Sequence, residues 1–349
     1  MMKNSVEYFF KKGFLLTPDV VKFIDKMNVE FTSYNPPQNK LVLDIKDFEE
    51  GCDCVEIVKH LIKIPKEVST QDFIKFYTSK YEKMKDVIQS RIEKEFVSLK
   101  EIKGDGWIIA RVRKIKNHSL ELEDLTGEGL FFGEFPDLDV DDVCCFLVEN
   151  QKIKQILFPD VPLREPTKSK GRCCFIGDLH LDEAPYKKFE KFLQWFKTSG
   201  IKYLIVCGDV GDKSCFTAFI EKYIPDRKVF IIPGHDKPYP SLAETYLGKN
   251  IISLSNPSII KINNIIVLVI HKFSKQYLKK RYLGKTKTVL NEDYLTLDIV
   301  PDIVHYGHDH KPFTSNYKSI TLVNAGSLLT EFSPILIDFF TRETKQLSF

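Results

Sequence analysis

Apolar positions along this chain fall into three regimes. Up to residue 92 they recur mostly at helical spacing, from 96 to 162 they form short runs set close together, and beyond 172 strand-like runs alternate with helical faces. In the first regime an apolar, basic stretch leads to Thr17-Pro18-Asp19, a cap with proline at the first helical position, ahead of Val20, Val21, Phe23 and Ile24. Residues 31–68 have no clear period; Pro36-Pro37 marks a loop and Leu41-Val42-Leu43 a possible strand. Ser69-Thr70-Gln71-Asp72 then opens a helix whose apolar positions Phe73, Phe76, Tyr77, Tyr81, Met84 and Ile88 share a face up to about Ile92. Its many lysines and glutamates predict an exposed or bridging helix.

In the second regime, runs such as Gly106-Trp107-Ile108-Ile109-Ala110, Leu120-Glu121-Leu122-Glu123 and Val143-Cys144-Cys145-Phe146-Leu147-Val148 are separated by turn residues. Strands spaced this closely predict a small barrel or sandwich, with an OB-type β-barrel the best candidate. Pro159-Asp160-Val161-Pro162 and the polar stretch 164–171 form a linker. In the third regime Cys173–Ile176 reads as a buried strand, Phe189, Phe192, Leu193 and Phe196 as one helix face, and 203–207, 229–232, 265–270 and 303–306 as further strands. This alternation predicts an α/β sheet packed in layers, in a chain that is α+β overall. The expected domains are an N-terminal helical module and connector (1–68), a linker helix (69–94), an OB-fold domain (95–163) and the layered α/β domain (171–349).

The candidate chemistry lies where those strands end. Asp178 with His180, Asp209, His235, His271, and His308 with His310 each follow a strand-like run, and five of the chain's eight histidines are among them. Ligands of open α/β sheets bind beyond the carboxyl ends of the strands, so these side chains are expected to converge on one crevice. Imidazoles and carboxylates without thiolates suit manganese, iron or zinc in a hydrolytic site. A carboxylate able to bridge two ions would complete a centre that clamps a phosphate and activates a water.

Composition narrows the setting without changing this picture. A net charge of +3 leaves any nucleic-acid affinity to local basic patches. No apolar run approaches the roughly 18–20 residues of a membrane span and the start lacks a signal-peptide core, so a cytoplasmic protein with no membrane partner is expected. The eight cysteines, none in a CxxC pair, read as reduced core thiols; Cys52 and Cys54 are the pair with most scope for other chemistry.

Gly177-Asp178-Leu179-His180, Gly208-Asp209, Gly234-His235-Asp236, His271 and Gly307-His308-Asp309-His310 together resemble the motif series of calcineurin-like metallophosphoesterases. More narrowly, the chain resembles the small-subunit family of archaeal family-D DNA polymerases. Lys12-Gly13-Phe14-Leu15-Leu16-Thr17-Pro18, Asp72-Phe73-Ile74-Lys75-Phe76-Tyr77, Glu123-Asp124-Leu125-Thr126-Gly127, Phe158-Pro159-Asp160-Val161-Pro162 and Leu322-Val323-Asn324-Ala325-Gly326-Ser327 carry that likeness. The resemblance implies a 3′→5′ proofreading exonuclease that docks on a large catalytic polymerase subunit and acts on DNA with a 3′ primer end. It implies two divalent ions, manganese foremost, with Asp178, His180 and His310 on one, His271 and His308 on the other and Asp209 bridging. His235 would be the catalytic acid that protonates the leaving 3′ oxygen.

Two positions depart from the pattern. Gly234 stands where the family has an asparagine that ligates the second ion, and Lys272 follows His271 where glycine is usual. With the asparagine missing, either water fills its place or His235 or Asp236 shifts into it. Two alternatives to an active exonuclease follow: a phosphoesterase-fold subunit with only a structural, polymerase-tethering role, or a free-standing metallophosphoesterase. After His271, Lys272, Lys275, Lys279, Lys280 and Arg281, interleaved with Phe273, Tyr277 and Tyr282, form a candidate DNA-strand guide. Lys103, Arg111, Arg113, Lys114 and Lys116 near Trp107 offer the barrel a nucleic-acid surface, although a docking surface is the preferred reading there.

Overall fold

Proline at 18 opens a helix, as its position predicts. In the computed structural model, which describes residues 2–27, 41–43, 54–246 and 248–349, α1 (Met2–Lys11) and α2 (Pro18–Met27) flank the two-residue strand β1 (Leu15–Leu16). Strand β2 (Val42–Leu43) pairs with β1 in parallel. Pro36-Pro37 and Cys52 lie outside the described residues.

The unclassified stretch contains β3 (Val55–Lys59), and after it comes α3 (Thr70–Gln89). Ser69 and Asp72 close a capping box at the start of α3, each side chain accepting from the other's backbone N–H. The helix bridges. Tyr81, Met84 and Ile88 pack on Ile109, Val143 and Cys145, while Phe76 packs with Leu61 and Leu290. Among its lysines, Lys80 is buried, with its ammonium 3.9 Å from the centre of the Tyr282 ring, and burial lowers its pKa to about 8.

Strands β4 (Gly106–Lys116), β5 (Ser119–Glu123), β6 (Glu128–Phe132), β7 (Val143–Glu149) and β8 (Lys152–Leu157) close a barrel in the order β4-β5-β6-β8-β7. Alternate residues fill it: Ile108, Ala110 and Val112 from β4, Leu120 and Leu122 from β5, and Cys144, Phe146 and Val148 from β7. On its outside Arg111 bonds Glu123 and Asp141, and Arg113 pairs with Glu128. Acids of the barrel itself therefore partner two of the cations read as a nucleic-acid surface.

The remainder has two six-stranded sheets, face to face. The first contains β9 (Arg172–Ile176), β10 (Tyr203–Cys207), β11 (Lys228–Ile232) and β12 (Ile251–Ser253), all parallel, with β18 (Ile335–Asp338) and β19 (Thr344–Gln346) added antiparallel beside β9. The second runs β16 (Pro312–Tyr317), β17 (Ile320–Ala325), β15 (Ile303–Tyr306), β14 (Ile265–Val269), β13 (Ser258–Ile262), β3. Its edge is thus supplied by a strand some 200 residues away in sequence, with Ile262 opposite Val55.

Phe175, Ile205, Cys207 and Phe230 of the first sheet meet Ile260, Val267, Val269, Ile303 and Val323 of the second in a buried apolar layer. The residues between them, Cys174, Ile176, Leu204, Val206 and Ile231, face outward under α4 (Lys187–Thr198) and α5 (Lys213–Tyr223). Helix α4 brings Phe189, Phe192, Leu193 and Phe196 to that layer, the face its spacing predicts. On the far side of the second sheet, Leu268, Val304 and Leu322 are covered by Leu278, Leu283, Leu295 and Leu297, from around the short helix α6 (Lys275–Lys280). Cover on both faces explains why these strands read as unbroken apolar runs. Among the described residues no helix is long and apolar enough to cross a membrane, and the seven described cysteines are free thiols, five of them buried.

Candidate metal centre

The parallel strands of both sheets end at one edge. The chain turns there at Gly177-Asp178 after β9, Gly208-Asp209 after β10, Gly234-His235 after β11, His271 after β14 and Gly307-His308 after β15. Five of the polar residues at these turns have left-handed backbone, with φ of 49° at Asp178, 44° at His180, 47° at Asp209, 73° at His308 and 53° at His310. Such conformations are costly for residues with side chains and persist where surrounding contacts over-determine them. Those contacts are visible: Asp178 N donates to Gly208 O (3.2 Å), His180 N to Asp209 O (2.9 Å) and Gly307 N to His271 O (2.9 Å).

The side chains gather into two groups, Asp178, His180, Asp209 and His310, and then His235, His271 and His308. Within each, one donor atom per residue lies within 4.8 Å of the others. Asp209 joins the groups, its Oδ2 being 3.1 Å from His271 Nε2, 4.0 Å from His180 Nε2 and in contact with His235 Nδ1. His180 and His310 approach through their Nε2 atoms at 3.3 Å.

Electrostatics differ sharply across this cluster. Burial pushes the Asp178 carboxyl up to about 7, despite the opposing field of His271 and a bond from His308 N at 3.0 Å. Burial would raise Asp209 as well, but the neighbouring His271 and His235 reverse the effect and hold it well below the usual carboxylate range. His308 is lowered by burial and then by His271 and Lys272, and His310 by burial and then by His180. Both imidazoles therefore favour the neutral form, in which a lone pair is free to ligate.

The donor set fits divalent cations. His271 is 2% exposed; its Nδ1 donates to Cys207 O at 2.9 Å, and its Nε2 lies 3.1 Å from Asp209 Oδ2 with no aligned hydrogen-bond partner. A buried ring nitrogen set among two carboxylates and further imidazoles suits a divalent cation.

All seven predicted residues therefore meet, with His235 set against Asp209. Its backbone N donates to Asp209 Oδ1 at 2.9 Å and its ring Nδ1 rests on Asp209 Oδ2, so it faces the ligands. Gly234 is held by contact: a Cβ there would stand 1.6 Å from Asp209 Oδ1 and 2.6 Å from Asp209 N. Gly208, with φ +75°, is equally confined, its would-be Cβ lying 2.8 Å from His271 Nδ1.

The strand-end pattern does not identify the residues that position these ligands. Ser327 Oγ donates to Asp178 O at 2.7 Å, Asn256 Oδ1 accepts from His271 N at 3.2 Å, and Asn324 Nδ2 donates to Gly307 O at 3.3 Å. The run Leu322–Ser327 signals Asn324 and Ser327 in sequence, and nothing there signals Asn256. Beside the ligands a cleft of about 380 Å³ is lined by His180, Asp182, Glu183, Lys213, Asp236 and Tyr246.

The basic segment divides. Lys272 and Lys275 are exposed. Lys279 pairs with Asp137 (2.9 Å) and Lys280 with both Asp139 and Asp142 (2.6 Å each), which ties α6 to the loop between β6 and β7. Arg281 is 3% exposed and donates to the backbone oxygens of Leu297 and Asp298. The expected DNA guide is corrected at these three positions: neighbouring carboxylates and carbonyls already hold the cations, and Arg281 is away from solvent.

Comparisons with known proteins agree with this geometry. Residues 172–344 match the calcineurin-like phosphoesterase superfamily domain. The DNA polymerase II small subunit of Archaeoglobus fulgidus is 22% identical over 90% of this chain and 82% of its own length. That of Methanothermobacter thermautotrophicus is 25% identical over 76% and 74%, and that of Thermoplasma acidophilum 23% over 93% and 86%. Among solved structures, a novel archaeal phosphodiesterase aligns with 51% of this chain and 99% of its own at 14% identity, with a TM-score of 0.37, too low to bear on function.

Proposed function

From the chain's membership of the DNA polymerase II small-subunit family, we propose that it is the small subunit of a two-subunit family-D DNA polymerase, supplying a two-metal 3′→5′ exonuclease that proofreads primer ends. The observation that carries this reading is the convergence of two acids and five histidines from five strand ends, with Asp209 common to both groups. The catalytic polymerase site belongs to the large subunit.

Asp178, His180 and His310 would hold one ion and His271 and His308 the other, with Asp209 common to both groups. Two carboxylates in the first group suit manganese, with iron and zinc as the other candidates. Ions bound there would supply Lewis acidity and activation of a water for phosphodiester hydrolysis. Asp209, ionised well below neutral pH, brings its charge to both positions without giving up a proton, and His271 is fixed in one tautomer by Cys207 O. Neutral His308 and His310 need no deprotonation before ligation. Lys272 and Lys275 are the cations still free to meet the DNA backbone.

The other parts serve docking. The barrel over 95–163, read as an OB-fold, and the N-terminal module within 1–68 would dock on the large subunit, and the helix within 69–94 packs on the barrel and on Leu290 of the phosphoesterase domain at 171–349. β3 stands apart from that division, because it belongs to the second sheet.

The test is reconstitution with the large subunit. A stable complex should form, and with manganese it should shorten a 5′-labelled primer one nucleotide at a time from its 3′ end. Degradation from the 5′ end, or failure to bind the large subunit, would contradict the proposal.

A further inference from the structure

The proposed second ion has two histidines and, at Gly234, no side chain where the family has its amide ligand. Resting on the two-ion reading above, we infer that His235 is the third protein ligand of that ion, which makes the second position a three-imidazole site and takes His235 away from proton donation.

Three observations lead there. His235 groups with His271 and His308, one nitrogen from each lying within 4.8 Å of the others, and its ring stacks on His271 with centroids 6.0 Å apart and planes 22° apart. Both hydrogen bonds of His235 go to Asp209, through the backbone N and through Nδ1, so the turn after β11 presents the imidazole to the ligands although its side chain is 60% exposed. Asp209 Oδ1 occupies the space that a Cβ at position 234 needs. The glycine thus lets the bridging carboxylate and His235 come together, and the same contact excludes an asparagine at 234. Asp236 is the competing replacement, but it is exposed, pairs with Lys237 at 3.2 Å and lies outside the donor group.

The substitution changes chemistry. An amide oxygen beside two imidazoles is a harder donor set than three imidazoles, and imidazole favours zinc and iron over manganese. The two positions should therefore differ in preference: manganese at the group with two carboxylates, zinc at the three histidines. Protonation of the leaving oxygen then falls to water.

Zinc titration of the full chain, with bound metal counted after gel filtration, tests this directly. Cobalt substitution adds a spectroscopic readout, since a low-coordinate nitrogen site absorbs strongly in the visible. Wild type should bind two equivalents. His235→Ala should keep one and bind the second at least about tenfold more weakly, with loss of the visible cobalt band, as should His271→Ala. His235→Asn, which puts an amide oxygen back into the turn, should move the second position's preference from zinc toward manganese and confirm that loss of binding is not loss of fold. Two tight equivalents and an unchanged cobalt spectrum in His235→Ala would overturn the inference and leave the two-ion reading standing. Fewer than two equivalents in wild type would overturn both.

Discussion

Asp178 and Asp209 are neighbours in one site, yet their surroundings drive them in opposite directions. Burial raises the Asp178 pKa to about 7; Asp209 is buried as well, but His271 and His235 beside it lower its pKa. In metal-free protein the protonated Asp178 is favoured on folding, so its contribution is fully present below the unfolded pKa near 4 and is lost as pH rises through 7. Asp178→Asn should therefore gain stability relative to wild type between pH 4 and pH 8, on the order of a few kcal/mol, in urea unfolding with chelator present. A constant difference across that range would show that Asp178 is not the desolvated carboxyl described. Gly234→Ala should lower the unfolding midpoint by the equivalent of about 1–3 kcal/mol and reduce metal content, because its methyl group meets Asp209. All seven donors were legible in sequence, because apolar strands ending in Asp or His carry a clear signal. The Gly234 contact was not, since it depends on where a carboxylate from a different strand comes to rest.

Elements made of strictly periodic residues were equally legible. β10 and β15 lie where their apolar runs place them, and α4 buries the predicted phenylalanines. β3 escaped because Val55-Glu56-Ile57-Val58-Lys59 is a short edge strand with partners from another part of the chain, and β8 because its outward positions are polar. The basic run at α6 was misjudged at Lys279, Lys280 and Arg281 for a related reason: its acidic partners lie some 140 residues earlier, in the loop before β7. Lys280→Ala should cost about 1–3 kcal/mol by leaving the largely buried Asp142 without its partner, with little change in affinity for single-stranded DNA. Lys275→Ala should do the reverse, staying within about 0.5 kcal/mol of wild type while weakening DNA binding at low salt. Chemical unfolding and fluorescence anisotropy separate the two outcomes.

Across the whole molecule, the metal centre is locked to the barrel through α3 and the lysine–aspartate contacts of α6. Lys83 Nζ donates to Asp293 O and Asp293 N donates to Ser79 Oγ, so the bridging helix also grips the loop after α6. On the proposed function, this arrangement would present the metal centre to the large subunit in a fixed orientation. The most direct measurement is the rate of 3′-terminal nucleotide release from a mismatched primer by the reconstituted two-subunit complex in manganese, wild type beside Asp209→Ala. The account predicts release that chelator stops and that Asp209→Ala lowers by at least about a hundredfold, equivalent to roughly 3 kcal/mol of transition-state stabilisation. Release at equal rates by the two proteins, or a primer left intact by wild type, would contradict it.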